Sequence, residues 1–197
     1  MGFDFHKWLH VPYDAGCVLI RHGKAHQLAF SGRPHYLQSA QRGLAGGGSW
    51  PCEYGPELSR GFRALKVWFA MKEHGVRKFG ELIWQNCLQA QYLASLIQAR
   101  PELELLAQPE LNIVCFRYRA EGLSDQELDT FNRELVADLQ ECGLAAPSTT
   151  SLSGKLAIRA ALTNHRTRRE DLQLLADSVV ELGDRRRAEM REHPSNA

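Results

Sequence analysis

The chain has 197 residues and a formal net charge of +1, enough for one sizeable hydrophobic core or for one small domain and part of another. Acidic and basic residues are interspersed along the chain, so no surface of one charge indicates a nucleic-acid partner. No apolar run reaches membrane-spanning length and no signal-peptide pattern follows Met1, so we expect no membrane partner and a cytoplasmic protein.

The cysteines and histidines indicate no metal site. Five cysteines are spread along the chain without a C-x-x-C pair, which argues against both a disulfide framework and a zinc site. No H-E-x-x-H motif is present among the eight histidines. We therefore predict no bound metal ion, and we expect the cysteines to be mostly buried as small apolar residues.

The chain begins with two predicted strands. Residues 3–9 and 15–21 are short apolar runs joined by a Pro-Tyr-Asp turn, a pattern typical of two adjacent strands. Lys7 lies inside the first run, directly after His6. If its amine packs among Phe5 and Trp8, the uncharged nucleophilic form is favoured; the open alternative is that the side chain extends along these rings to water.

A short helix is predicted from about residue 24 to residue 30, followed by a long segment, residues 31–56, that is rich in glycine and proline. Irregular segments of this length in compact domains are usually lids, binding loops or disordered stretches. A lid or binding loop and a flexible connector both stay open for this segment.

Helical periodicity begins at Ser59. A first helix is expected to end at His74-Gly75, and a second, from about Phe79, is expected to end before Pro101. We expect both helices to pack in a core, with Trp68 and Trp84 as packing anchors.

The remaining segments alternate between strands and helices. Strands are predicted at 103–106 and 111–118, and a hairpin at 149–152 and 156–162 that turns at Ser153-Gly154. Capping boxes at Ser124–Glu127 and Thr167–Glu170 open two further helices. This order predicts an α+β layer in which helices cover one face of a mainly antiparallel sheet.

Four segments agree in order and spacing with one enzyme family. They are His6-Lys7-Trp8-Leu9 with residues 13–17, Pro34-His35-Tyr36-Leu37, residues 56–68, and residues 112–117 with 163–167. Together they resemble the group II amino-acid decarboxylases, which use pyridoxal 5′-phosphate, and in particular the aromatic-L-amino-acid decarboxylases and their bacterial relatives.

The resemblance implies an α/β fold with an α+β small domain, as the carboxyl-terminal part of a fold-type I (aspartate-aminotransferase-like) enzyme. Residues 1–65 would then be the end of the large cofactor-binding domain, with the Schiff-base lysine strand and a mobile loop, and residues 66–197 the small domain. In the family, the acid for the pyridine nitrogen and most of the phosphate site lie upstream of the lysine. We therefore expect a truncated carboxyl-terminal portion that is inactive alone unless an upstream polypeptide completes it.

The resemblance also assigns roles to four side chains. Lys7 matches the lysine that binds the cofactor covalently, and His6 matches a histidine beside the cofactor phosphate. Tyr36 matches the loop tyrosine that returns a proton to the substrate, and Arg60 an arginine that pairs with the substrate carboxylate. The alternatives are a backbone-satisfied His6, a Tyr36 that is merely exposed, and an Arg60 that pairs with a neighbouring carboxylate at a helix start. We assign no role to Asp4, which stands on the predicted first strand where relatives carry asparagine.

The expected function is decarboxylation of an L-amino acid to its amine and carbon dioxide. A homodimer is implied, because the family loop reaches into the neighbouring subunit's site. One alternative is a non-catalytic fragment or interaction domain that retains the small-domain fold. Another is oxidative aldehyde formation, which relatives with phenylalanine in place of Tyr36 tend to carry out.

Overall fold

The structure, a computed structural model, describes residues 1–192. The chain forms two compact units, one of residues 1–75 and one that begins at Val76. The domain boundary predicted between residues 65 and 66 stays a prediction, and the compact units themselves divide ten residues later, at Gly75.

The first unit begins with a two-stranded antiparallel sheet. Strand β1 (Gly2–Asp4) pairs with β2 (Gly16–Val18). The predicted pairing is confirmed, but the predicted strand lengths are wrong. After β1 the chain turns, because the His10 amide donates to the carbonyl of Lys7 at 3.2 Å and the Val11 amide donates to that of Phe5 at 3.2 Å. Lys7 therefore lies in a turn and not on a strand.

Helix α1 (Gly23–Phe30) follows as predicted. Residues 31–56 are irregular apart from two short 3-10 turns, His35–Leu37 and Pro51–Tyr54. Both contribute to the candidate site described below.

Helix α2 (Arg63–Gln98) is interrupted at Gly75, where φ is 73° and ψ is 156°. The predicted stop at His74-Gly75 is thus confirmed, and glycine suits this left-handed φ because it carries no Cβ. The packing predicted for Trp68 and Trp84 is wrong, since these side chains are 54% and 62% exposed. Trp84 lies outside the stripe of α2 that is buried in the second unit, which consists of Phe79, Asn86, Cys87, Gln89, Ala90, Leu93, Ala94 and Ile97.

The second unit contains a four-stranded antiparallel sheet in the order β3-β4-β6-β5. Its strands are β3 (Leu103–Ala107), β4 (Ile113–Tyr118), β5 (Ser148–Leu152) and β6 (Lys155–Ala161), and its further helices are α3 (Asp125–Glu141) and α4 (Arg169–Glu192). Apolar side chains of these elements and of α2 form one core between Ala90 and Leu182. The predicted α+β layer is confirmed.

In this unit the predicted hairpin turn and one of the two predicted helix caps are confirmed, and the other cap is wrong. Ser153 and Gly154 both have positive φ, 51° and 80°, as a two-residue hairpin turn requires. The capping box at Ser124 is confirmed. The one predicted at Thr167 is wrong, because α4 begins one residue later than that box requires and the Arg168 amide donates instead to the carboxylate of Asp171 at 2.8 Å.

Two further predictions concern the whole chain. Of the five cysteines only Cys87 is buried, so the expectation that most of them are buried is wrong. Within residues 1–192, no helix combines the length and the apolar character needed to cross a bilayer.

Candidate active site

Lys7 presents its amine to solvent on the turn that follows β1. Its side chain is 69% exposed, and Nζ lies 2.6 Å from Oδ2 of Asp4. Of the two alternatives left open for Lys7, the one in which its amine packs among Phe5 and Trp8 is therefore wrong. The hydrogen bond and the charge of Lys7 hold the pKa of Asp4 below its ordinary value despite partial desolvation. Asp4 thus forms an ion pair with the exposed side chain of Lys7.

His6 has one ring nitrogen committed to the backbone. Its Nδ1 accepts a hydrogen bond from the Ala15 amide at 2.9 Å, and its ring packs edge-on against Tyr13 with centroids 4.6 Å apart. Because Nδ1 accepts, the neutral ring carries its proton on Nε2. The alternative in which the backbone satisfies His6 therefore holds for Nδ1. Nε2 remains a hydrogen-bond donor, on the residue directly before Lys7.

Tyr36 and Arg60 line one open groove in the first unit. The groove is also lined by residues 50–52, by residues 58–64 and by Gly16 at the start of β2. Gly16 is the register partner of Asp4. Lys7 and His6 do not line the groove; they lie on the turn that follows β1, next to the strand pair that the groove reaches.

Arg60 contacts a backbone carbonyl in this groove. Its Nη2 donates to the carbonyl oxygen of Pro51 at 2.5 Å, and helix α2 begins only three residues later, at Arg63. The alternative in which Arg60 pairs with a carboxylate at a helix start is therefore wrong. Its exposed guanidinium has five N–H donors in all, a set suited to an anionic ligand.

Arg63 joins the loop after the lysine turn to the first turn of α2. Its Nε donates to Oδ2 of Asp14 at 2.8 Å and its Nη1 to Oε2 of Glu57 at 3.3 Å. Asp14 raises the pKa of Arg63 further, so the guanidinium stays charged. Sequence reasoning missed this contact. Both residues lie in segments of the family resemblance, but no periodicity links positions 49 residues apart.

A buried ion pair lies within segment 31–56. Glu53 is only 8% exposed and is paired with Arg33, whose guanidinium lies 4.3 Å from the ring centroid of Trp50. A hydrogen bond from Gln27 and the pairing with Arg33 hold the pKa of Glu53 below its ordinary value against desolvation. Nothing in the sequence indicates this buried pair of Arg33 and Glu53, because charged residues in a glycine-rich segment are normally solvent-exposed.

No group of three or more histidine, cysteine, aspartate or glutamate side chains within residues 1–192 could hold a metal ion. Among the described residues, the four side chains predicted to act at the site carry an amine (Lys7), an imidazole (His6), a phenol (Tyr36) and a guanidinium (Arg60).

Comparison with known proteins places these residues in one family. Residues 1–119 match the model described as the pyridoxal-dependent decarboxylase conserved domain. An aromatic-L-amino-acid decarboxylase of Bacillus atrophaeus is 36% identical over 185 residues, which is 93% of this chain and 38% of that protein. A histidine decarboxylase of Drosophila melanogaster is 32% identical over 87% of this chain and 19% of its own length.

A solved structure supports the fold. The crystal structure of Oryza sativa TDC with PLP and tryptamine superposes with a TM-score of 0.83 at 23% identity, over 93% of this chain and 38% of that one. This similarity confirms the predicted fold class, part of a fold-type I enzyme. The chain thus spans less than two fifths of the length of either curated relative described above.

Proposed function

Because this chain belongs to the pyridoxal-dependent decarboxylase family, we propose that it serves in the decarboxylation of an L-amino acid to its amine and carbon dioxide. The observation that carries the proposal is the solvent-accessible amine of Lys7, which directly follows in the chain the residue that provides the Nε2–H donor, His6, inside the segment that matches the family. An L-amino acid is accordingly the small-molecule partner.

The residues around the lysine turn fit pyridoxal 5′-phosphate. An accessible primary amine is the group that an aldehyde requires, and an imidazole N–H suits a phosphate oxygen. Lys7 and His6 are therefore the residues that would hold the cofactor. When bound, the cofactor supplies an electron sink for the electron pair left behind as the carboxylate departs.

Tyr36 and Arg60 supply the remaining chemistry from the groove. The Arg60 guanidinium would bind and orient the substrate carboxylate, because its planar N–H donors match two carboxylate oxygens. Tyr36, which is 78% exposed, would hold at its Oη the proton that the substrate α-carbon requires. Closure over the groove of residues 38–49, a part of segment 31–56 that does not line it, would exclude water during this transfer.

We propose that the 197-residue chain is inactive alone and acts together with a further chain. Two features of the first unit support this. Lys7 is solvated, although a cofactor site is normally enclosed. Several large apolar side chains are also exposed, namely those of Val18, Leu19, Ile20, Phe62, Trp68 and Phe69, and such surfaces mark protein contacts. The partner is a second copy, as in a homodimer, or a complementing upstream polypeptide.

A second candidate function is a non-catalytic interaction domain. It is favoured by the core of the second unit, which is formed entirely by residues between Ala90 and Leu182 and requires no side chain of the lysine turn.

Decarboxylation by the chain together with its native partners tests the proposal. The chain is isolated from its own cells with the polypeptides that accompany it, supplied with pyridoxal 5′-phosphate, and assayed for carbon dioxide and amine from each L-amino acid. Lys7→Ala is expected to abolish release. Lys24→Ala, which removes another exposed lysine of the same unit, is expected to leave it unchanged.

Three results would contradict the proposal. Release that survives Lys7→Ala would remove Lys7 from the chemistry. An assembly that decarboxylates no L-amino acid would favour the interaction domain, and a product that is aldehyde with hydrogen peroxide would indicate oxidative chemistry instead of simple decarboxylation.

A further inference from the structure

A buried ion pair ties together the two ends of segment 31–56. Arg33 lies near the beginning of the segment and Glu53 near its end, and Nη2 of Arg33 donates to Oε1 of Glu53. The two side chains are 11% and 10% exposed. Since arginine and glutamate side chains are rarely buried to this extent unless paired, the contact is a fixed feature of the segment.

Helix α1 holds the acidic member of this pair. Gln27 of α1 donates from Nε2 to Oε2 of Glu53 at 2.8 Å and to Oγ of Ser49 at 2.8 Å. Both carboxylate oxygens of Glu53 are therefore occupied by donors. The guanidinium of Arg33 in turn lies over the ring of Trp50, so its position is set from two directions.

Arg33 also reaches the turn that carries Tyr36. Its Nη1 donates to the carbonyl oxygen of Leu37 at 3.3 Å, in the 3-10 turn His35–Leu37. That turn is otherwise closed by the Leu37 amide, which donates to the Pro34 carbonyl at 2.9 Å. The backbone next to Tyr36 is thus anchored, while the phenol itself is 78% exposed at the groove.

We propose that Arg33, fixed by Glu53, is a positioning residue for Tyr36. This role rests on the proposed function, because it matters for the reaction only if Tyr36 delivers the proton. The guanidinium fork can donate to a carboxylate and to a carbonyl at the same time, which a lysine ammonium at the end of a flexible chain does less well. Small displacements of a reacting group cost large factors in rate, so a tether at the base of Tyr36 has a catalytic consequence.

Amide hydrogen exchange in the 197-residue chain tests the tether without any reaction. Arg33→Lys keeps the charge opposite Glu53, and Arg33→Met removes it. Both are expected to raise the exchange rates of the Leu37 and Gln38 amides at least tenfold. The buried Val11 amide, which donates to Phe5 in the same unit, is expected to be unchanged in Arg33→Lys.

The matched control is Arg42→Met, which removes an exposed arginine from the same segment. It is expected to leave the exchange rates of the Leu37 and Gln38 amides unchanged. If Leu37 and Gln38 exchange in Arg33→Lys as slowly as in Arg42→Met, the tether does not exist and the proposal is overturned. Arg33→Lys decides the matter even if Arg33→Met fails to fold.

The product ratio of the complete assembly tests the consequence for Tyr36. In air-saturated buffer, Tyr36→Phe is expected to raise the fraction of aldehyde and hydrogen peroxide relative to amine, and Arg33→Lys is expected to shift the ratio several-fold in the same direction. The double variant should shift it no further than Tyr36→Phe alone. A purely structural defect would lower all products together.

Failure of the role proposed for Tyr36 and failure of the positioning role of Arg33 give different results. If Tyr36→Phe leaves the ratio unchanged, the role proposed for Tyr36 is wrong, and with it the positioning role of Arg33, whatever the exchange rates show. If Tyr36→Phe shifts the ratio and Arg33→Lys does not, the proposed function stands and the positioning role is overturned.

Discussion

Asn132 completes the backbone hydrogen bonding at the end of β4, and its replacement by leucine should destabilise the second unit. Its Oδ1 accepts from the Tyr118 amide at 2.7 Å, and its Nδ2 donates to the carbonyl oxygens of Tyr118 at 3.0 Å and Leu128 at 2.9 Å. Asn132 and Tyr118 are both 0% exposed. Leucine is branched at Cγ like asparagine, although its two methyl groups are larger, and it provides neither donor nor acceptor.

The expected cost follows from the backbone groups of Tyr118 that lose a partner. An unsatisfied buried polar group costs about 1–3 kcal/mol, so the amide and the carbonyl together give about 2–6 kcal/mol for Asn132→Leu. Urea denaturation followed by circular dichroism measures this as a fall in the free energy of unfolding. Gln126→Leu, an exposed position on the same helix, should change it by no more than about 0.5 kcal/mol. An equally small effect for Asn132→Leu would refute the reasoning.

Three further changes test the same unit. Gly183→Ala should lower the melting temperature, at a cost of about 1–3 kcal/mol, because its Cβ would overlap the ring of Tyr118; an increase would contradict this packing. Ser124→Ala removes the cap of α3 and should cost about 1 kcal/mol in urea denaturation. Burial alone would raise the pKa of Glu104, but the hydrogen bond and charge of Arg117 outweigh it and leave that pKa lowered. The stability contributed by this pair is therefore present above the unfolded-state pKa and is lost as the pH falls through the lower folded-state pKa. The free energy of unfolding of Glu104→Gln should accordingly depend less on pH in the acid range, and an unchanged slope would contradict the assignment.

The second unit could be predicted largely from local sequence signals. The capping box at Ser124 and the hairpin at Ser153-Gly154 act within a few residues, and the structure confirms both. The cap predicted at Thr167 is wrong because Asp171 competes with Glu170 for the same helix start, and spacing alone does not decide between two adjacent carboxylates.

The candidate site follows less directly from the sequence. The family motif locates Lys7, but the apolar residues around it predicted a strand, whereas hydrogen bonds local to the turn decide its conformation. The pair of Arg33 and Glu53 and the contact of Arg63 with Asp14 join positions 20 and 49 residues apart. Contacts at such separations depend on the tertiary fold and leave no periodic trace in the chain.

Covalent trapping at Lys7 tests the central claim most directly. The chain with its native partners is incubated with pyridoxal 5′-phosphate and reduced with borohydride, and the modified peptide is identified by mass spectrometry. Stoichiometric modification of Lys7 is expected, and it should be lost in Lys7→Ala and retained in Lys24→Ala. Modification spread equally over the exposed lysines, or none at Lys7, would contradict it.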